Sequence, residues 1–163
     1  MKGKTVCITG ASRGIGLALA EKYLREGHLV LAVSRRADEI KTKNVDDENL
    51  VRISADITTP EGIDEVKMKV REQGALDVLI HNAGQLLYKP FGEISSMELN
   101  QVYEVNVFAP FLMTQALIES MESCHIINIS SVGGVEDSLK FPGLSAYSSS
   151  KAALNCLTQM LAA

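Results

Sequence analysis

The stretch KTVCITGASRGIGLALAEKYLREG, residues 4–27, holds a strand-length apolar run, a glycine turn and an amphipathic helix in a single pass. Residues 4–9 are short and rich in β-formers. Over residues 14–26 the spacing puts Ile15, Leu19, Tyr23 and Leu24 near one helical face, and Gly27 is placed to stop the helix. Between the two lie Gly10, Gly14 and Gly16. Gly10 permits a tight turn. Gly14 and Gly16 lack a Cβ, so a phosphate or ribose can approach the backbone and the helix can pack close to the strand. The helix N-terminus then offers free N–H groups to an anion. The spacing is G-x-x-x-G-x-G, which departs from the G-x-G-x-x-G fingerprint of dinucleotide sites. On its own such a turn is also compatible with a purely structural bend.

The same strand-then-helix rhythm continues outward. Residues 28–34, 50–54, 77–81 and 125–130 read as further strands. Pro60 suits the first turn of a helix over 60–73. A helical region over roughly 96–121 contains Pro110, which should kink or divide it. A last helix begins near residue 145. Residues 35–49 read as a polar loop with room for a short helix, and 132–144 as a glycine- and proline-containing loop. Continuous apolar strands alternating with helices predict an α/β fold, a Rossmann-like doubly wound parallel sheet in three layers. Ligands of such sheets bind beyond the carboxyl ends of the strands. No repeat or interdomain linker is visible, so residues 1–163 read as one dinucleotide-binding domain.

Composition narrows the function. Of the 163 residues 46% are hydrophobic and 22% charged, as in ordinary globular chains. The net charge of −4 and the absence of tryptophan argue against a nucleic-acid partner. No apolar run approaches the ~18 residues of a membrane span. Cys7, Cys124 and Cys156 are odd in number and far apart, which fits reduced thiols in a cytoplasmic protein and neither a disulfide frame nor a zinc site.

Charge and spacing then point to chemistry. Where an acid would accept ribose hydroxyls at the end of the second strand, the chain has Ser34, Arg35 and Arg36, with Arg13 in the glycine turn. Guanidinium groups favour a 2′-phosphate and hence NADP(H), although the pair Arg35–Arg36 also fits a solvated loop. Tyr147 and Lys151 in AYSSSKAAL are four residues apart, on one face of a helix. An ammonium beside a phenol favours the phenolate and makes an acid/base unit. Alone, that spacing is common on helices.

Taken together, TGASRGIG, HNAG (residues 81–84), Asn106 in EVNVF, ISS (residues 129–131) and YSSSK resemble the short-chain dehydrogenase/reductase family, in order and over essentially the whole chain. The glycine spacing is similar to its single-domain branch, and Ser34 and Arg35 are similar to the pattern of its NADP-preferring members. The resemblance implies that Tyr147 exchanges a proton with the substrate oxygen and that Lys151 binds the nicotinamide ribose. It implies that Ser131 bonds the substrate oxygen, with Ser130 its rival in sequence, and that Asn106 holds a water in a proton relay; Asn106 also fits a helix-kink residue near Pro110. Cofactor contacts implied are Gly10, Ser12, Arg13, Gly14, Ile15 and Gly16 of the turn, Ser34 and Arg35, Asp56 and Ile57, and Asn82, Ala83 and Gly84, with Tyr147 and Lys151 again. His81 stands where relatives more often have asparagine and reads as a satisfied core residue.

The resemblance also implies further strands and a substrate lid after the last helix, beyond Ala163. The reading therefore expects a truncated chain or the ordered part of a longer enzyme, with the fifth strand as a sheet edge. The expected activity is that of an NADP(H)-dependent carbonyl reductase or alcohol dehydrogenase on a small molecule, in a homodimer or homotetramer. The competing reading is a non-catalytic NADP-binding redox sensor on the same fold.

Overall fold

A computed structural model describes residues 3–43 and 45–163. The apolar run of the opening stretch forms β1 (Thr5–Thr9), and the glycine turn leads into α1 (Gly14–Arg25). There follow β2 (Leu29–Ser34), β3 (Leu50–Ser54), α2 (Pro60–Gln73), β4 (Val78–His81), α3 (Ser96–Tyr103), α4 (Ala109–Leu117), β5 (His125–Asn128) and α5 (Ser145–Leu161). The five strands form one sheet in the order β3-β2-β1-β4-β5, and β1 pairs in parallel with β2 and β4. The order reverses direction beside β1, which is the switch point of a Rossmann-like doubly wound sheet. The chain divides into two compact units. The first runs to Ala83 and resumes over Leu112–Ile127; the second comprises Gly84–Phe111 and Asn128–Ala163.

Local chemistry explains the elements. Val6, Cys7 and Ile8 of β1 and Val30 to Val33 of β2 are all fully buried, as central parallel strands require. Thr59 caps α2 by accepting from the Gly62 amide at 3.1 Å, and Pro60 occupies its first turn. Gly27 follows α1 at φ 77, a left-handed stop.

Two expectations change, and a third, the division of the long helical region near Pro110, holds with its break placed earlier. The buried residues of α1 are Gly16, Ala20 and Leu24, and Ile15 is 60% exposed; small residues let α1 approach β1 closely, and the larger apolar side chain turns outward. The long helical region breaks one turn ahead of Pro110, in a π-helical turn over Glu104–Phe108. Pro110 has no N–H for the carbonyl of Asn106, four residues before it, so the wider turn absorbs the mismatch. Strand β5 ends at Asn128, which leaves Ser130 and Ser131 in the following loop.

His81 closes β4. Its Nε2 lies 2.9 Å from the Thr114 hydroxyl of α4, but its Nδ1 is buried without a partner, so it is only half satisfied. Burial holds the imidazole from its ordinary 6.5 down to about 4. The unfolded chain therefore binds a proton that the folded one refuses. Stability is full above pH 6.5 and falls as pH drops toward 4, by about 3 kcal/mol in all. Thermal unfolding followed from pH 7.5 to 4.5 should show this acid limb in wild type and a flatter one in His81→Asn; equal limbs would contradict it.

Candidate functional site

In the first unit the site grows from the end of β1. Thr9 is buried, and its hydroxyl accepts from the amides of Asn82 and Ala83, each at 3.1 Å. The Asn82 amide returns two bonds, to the carbonyls of Thr9 and Gly10, both at 3.0 Å. This latch ties the glycine turn to the end of β4. Gly10 stands at φ 67, and a Cβ there would lie 2.8 Å from the Ala83 Cα. On Gly16 a Cβ would meet the Gly10 carbonyl oxygen and the Asn82 amide nitrogen, each at 2.4 Å. Gly14, at φ 58, has nothing within 4 Å of its missing Cβ.

The start of α1 is open to an anion. Arg13 precedes it in extended conformation and gives no side-chain cap, and no acidic residue lies in the first turn. The cradle and the uncapped amides fit a dinucleotide pyrophosphate. Ser12 is half-buried, while Arg13, Gly14 and Ile15 are exposed around this turn.

Beyond β2, the Ser34 hydroxyl accepts from the Arg36 amide at 3.3 Å. Arg36 pairs with Glu39 at 2.8 Å across an exposed helical turn. Arg35 is exposed, and its carbonyl accepts from Ser54 at 3.1 Å. After β3, Asp56 accepts from the Thr58 hydroxyl at 2.7 Å and from the Thr58 amide at 3.0 Å. The Thr58 hydroxyl is the main reason its carboxyl lies below the usual range, with the Arg35 charge helping. Ile57 is buried beside it.

In the second unit α5 carries Tyr147 and Lys151 on one face, with the Lys151 ammonium 5.8 Å from the Tyr147 ring centroid. Tyr147 is half-buried and Lys151 only 3% exposed. The ammonium donates to the Ile129 carbonyl at 2.8 Å, its one protein acceptor among the described residues. Burial lowers its pKa from the ordinary lysine value. Asn106 is fully buried in the π turn. It accepts from the Gln85 amide at 2.8 Å and donates to the Gln85 carbonyl and the Ser150 hydroxyl, both at 2.9 Å. Ser150 in turn donates to the Tyr147 carbonyl at 2.7 Å. Both donors of the Asn106 amide are therefore engaged in holding the 84–85 segment to α5. Ser131 opens the loop before α5, its hydroxyl accepting from the Gly133 amide at 3.3 Å. Ser130 instead donates to the Lys151 carbonyl at 3.3 Å. Gly84 is exposed at the start of its segment.

Sequence reasoning missed Thr9, Gln85 and Ser150. Ser150 left one signal, its position one helical turn after Tyr147. The segment before α3 was also missed, although Ser95-x-x-Glu98 spells a capping box. Ser95 and Glu98 cap each other there, and Lys89 donates to both Glu98 oxygens, at 2.8 and 2.9 Å.

A parallel sheet in this order with a glycine turn at its switch point places the protein in the Rossmann-like α/β class. Within that class this chain belongs to the short chain dehydrogenase family, whose family model matches residues 4–163. The L-2,3-butanediol dehydrogenase of Corynebacterium glutamicum is 32% identical over 98% of this chain. This chain spans 65% of that relative's length. The crystal structure of a short-chain dehydrogenase from Streptomyces avermitilis is 37% identical, with a TM-score of 0.88 over 99% of this chain and 60% of its own. A metagenomic short-chain oxidoreductase in complex with NADP is 30% identical, with a TM-score of 0.86 over 98% of this chain and 74% of its own. Solved structures among the matches include complexes with NADH as well as with NADP. Among the described residues no helix is long and apolar enough to cross a membrane.

Proposed function

We propose that this chain is a dinucleotide-binding domain of an NADP(H)-dependent oxidoreductase that interconverts a small carbonyl compound and its alcohol in the cytoplasm, as a homodimer or homotetramer. The observation that carries the reading is the buried Lys151 ammonium against the ring of Tyr147 on one face of α5. A phenol hydroxyl beside a buried ammonium on one helical face supplies a proton donor and a hydrogen-bond donor side by side, the parts of a general acid/base.

Each residue then takes a role. The turn from Gly10 to Gly16, with Ser12, Arg13, Gly14 and Ile15, holds the pyrophosphate on the α1 amides. Asp56, Ile57, Asn82, Ala83 and Gly84 line the adenosine side. Lys151 directs its remaining N–H bonds to ribose hydroxyls. The Tyr147 hydroxyl gives its proton to the carbonyl oxygen in reduction and takes it back from the alcohol in oxidation. Ser131 donates a hydrogen bond to the same oxygen as charge develops there. Asn106, its side-chain donors engaged, holds a water by its carbonyl oxygen. The dinucleotide, when bound, supplies or accepts the hydride.

Preference for NADP(H) rests on two cations near the cofactor turn, Arg13 and Arg35. Arg36 is occupied by Glu39, whereas Arg35 and Arg13 have no ion-pair partner among the described residues. Isothermal titration should show NADPH binding more tightly than NADH. Arg35→Asp should weaken NADPH by about 10- to 100-fold, the worth of one or two charge-assisted bonds, and leave NADH nearly unchanged. Equal loss for both cofactors would contradict the assignment. Binding of NADPH without turnover of any ketone would favour the redox-sensor reading.

A further inference from the structure

Beyond the residues given chemical roles above, the loop after Ser131 has an organising centre of its own. The Lys140 ammonium donates to the Gly133 carbonyl at 3.0 Å, to the Ser138 hydroxyl at 2.9 Å and to the Val135 carbonyl. An ammonium has three N–H bonds, and these three acceptors engage all of them. The Ser138 hydroxyl, held by Lys140, turns back toward the carbonyls of Val132 and Val135, at 2.6 and 2.8 Å. Thus Lys140 collects oxygens of residues 133, 135 and 138, and Ser138 adds the Val132 carbonyl to a closed knot.

This knot joins two proposed catalytic groups. At its near end the Gly133 amide donates to the Ser131 hydroxyl, and the Gly134 amide donates to the Ser131 carbonyl at 3.0 Å. Its floor rests on α5. Gly134 is buried so close that a Cβ would lie 2.6 Å from the Lys151 carbonyl carbon, and Asn155 donates to the Gly134 carbonyl at 3.0 Å. The backbone also needs an external hold. Asp137 stands at φ 25, a left-handed conformation that costs a non-glycine residue energy unless its surroundings enforce it.

We propose that Lys140 is a positioning residue of the active centre, its ammonium clamping the 132–138 turn so that the Ser131 hydroxyl is held in one orientation beside Lys151. The inference rests on the assignment of Ser131 above. It also removes Lys140 from the cations available to a ligand, because no donor remains free. Removing the ammonium leaves the Gly133 and Val135 carbonyls and the Ser138 hydroxyl without their common partner, and the turn opens.

Amide hydrogen exchange by NMR on the full chain reads the clamp directly. Lys140→Met should speed exchange of the Gly133 and Gly134 amides by about tenfold while the interior amides of α5 keep their protection. Ser138→Ala, which removes one arm, should speed the same two amides by a smaller factor and serves if the methionine variant does not fold. Unchanged exchange at both glycines would overturn the proposal. In kinetics with NADPH and a ketone, Lys140→Met should lower kcat about tenfold and leave the KM for NADPH within about twofold. In a Ser131→Ala background the same change should have no further effect. A full additional loss in that background would overturn the proposal, because Lys140 would then act elsewhere. Wild-type activity of Ser131→Ala itself would instead remove the role given to Ser131, and the exchange data would still judge the clamp.

Discussion

Tyr147→Phe should bind NADPH within about twofold of wild type and lose turnover by about 10³-fold, within the range typical of a general acid/base. The change deletes one oxygen and keeps the ring. The Lys151 ammonium, 5.8 Å from the ring centroid, retains its π partner. The Tyr147 carbonyl still accepts from Ser150, so the path from Asn106 into α5 is intact. What disappears is the proton that the reacting oxygen must exchange. Titration calorimetry and steady-state kinetics on the same preparation separate the two effects. A phenylalanine variant that kept its turnover would remove the phenol from the mechanism.

Gly16→Ala should be the most damaging single methyl group in the cofactor cradle. Its Cβ would sit 2.4 Å from the Gly10 carbonyl oxygen, which is backbone, and 2.4 Å from the Asn82 amide that latches the turn to β4. Neither can yield without moving the turn. Overpacking of this kind costs about 1–3 kcal/mol of stability, and displacement of the α1 amides should weaken NADPH by about 100-fold. Gly14→Ala is the control. Its Cβ would enter open space, so only the strain at φ 58 remains, about 1–2 kcal/mol. Calorimetry and thermal unfolding of the two variants should rank Gly16→Ala as much the worse binder. Wild-type NADPH affinity in Gly16→Ala would contradict the cradle.

The comparison of these glycines shows what could be read in the chain and what could not. Strands and helix ends followed local rules. The apolar runs became β1 to β5, Pro60 sat at the start of α2 behind its Thr59 cap, and Gly27 took the left-handed stop. The Tyr147–Lys151 face followed from helical spacing alone. Features set by distant partners did not show. Helical periodicity chose Ile15 for the packed face, but the close approach of α1 to β1 selects small residues, and Gly16 and Ala20 took that place. Pro110 announced a disturbance without saying that a π turn one turn earlier would absorb it and bury Asn106. Thr9 meets Asn82 across 73 residues, and Ser150 meets Asn106 across 44. No periodicity reports a hydrogen bond over such separations. Lys140 left no signal in the sequence, because two of its three acceptors are backbone carbonyls, which any residue supplies.

We propose that Tyr147 and Lys151 serve hydride transfer between a nicotinamide and a carbonyl carbon. Mass spectrometry of product formed from a panel of small ketones and NADPH carrying deuterium at the transferable position tests it most directly. The product should be alcohol with one deuterium on the former carbonyl carbon, formed by wild type and not by Tyr147→Phe. Tight NADPH binding with no deuterated alcohol from any ketone, or equal labelling by the two proteins, would contradict it.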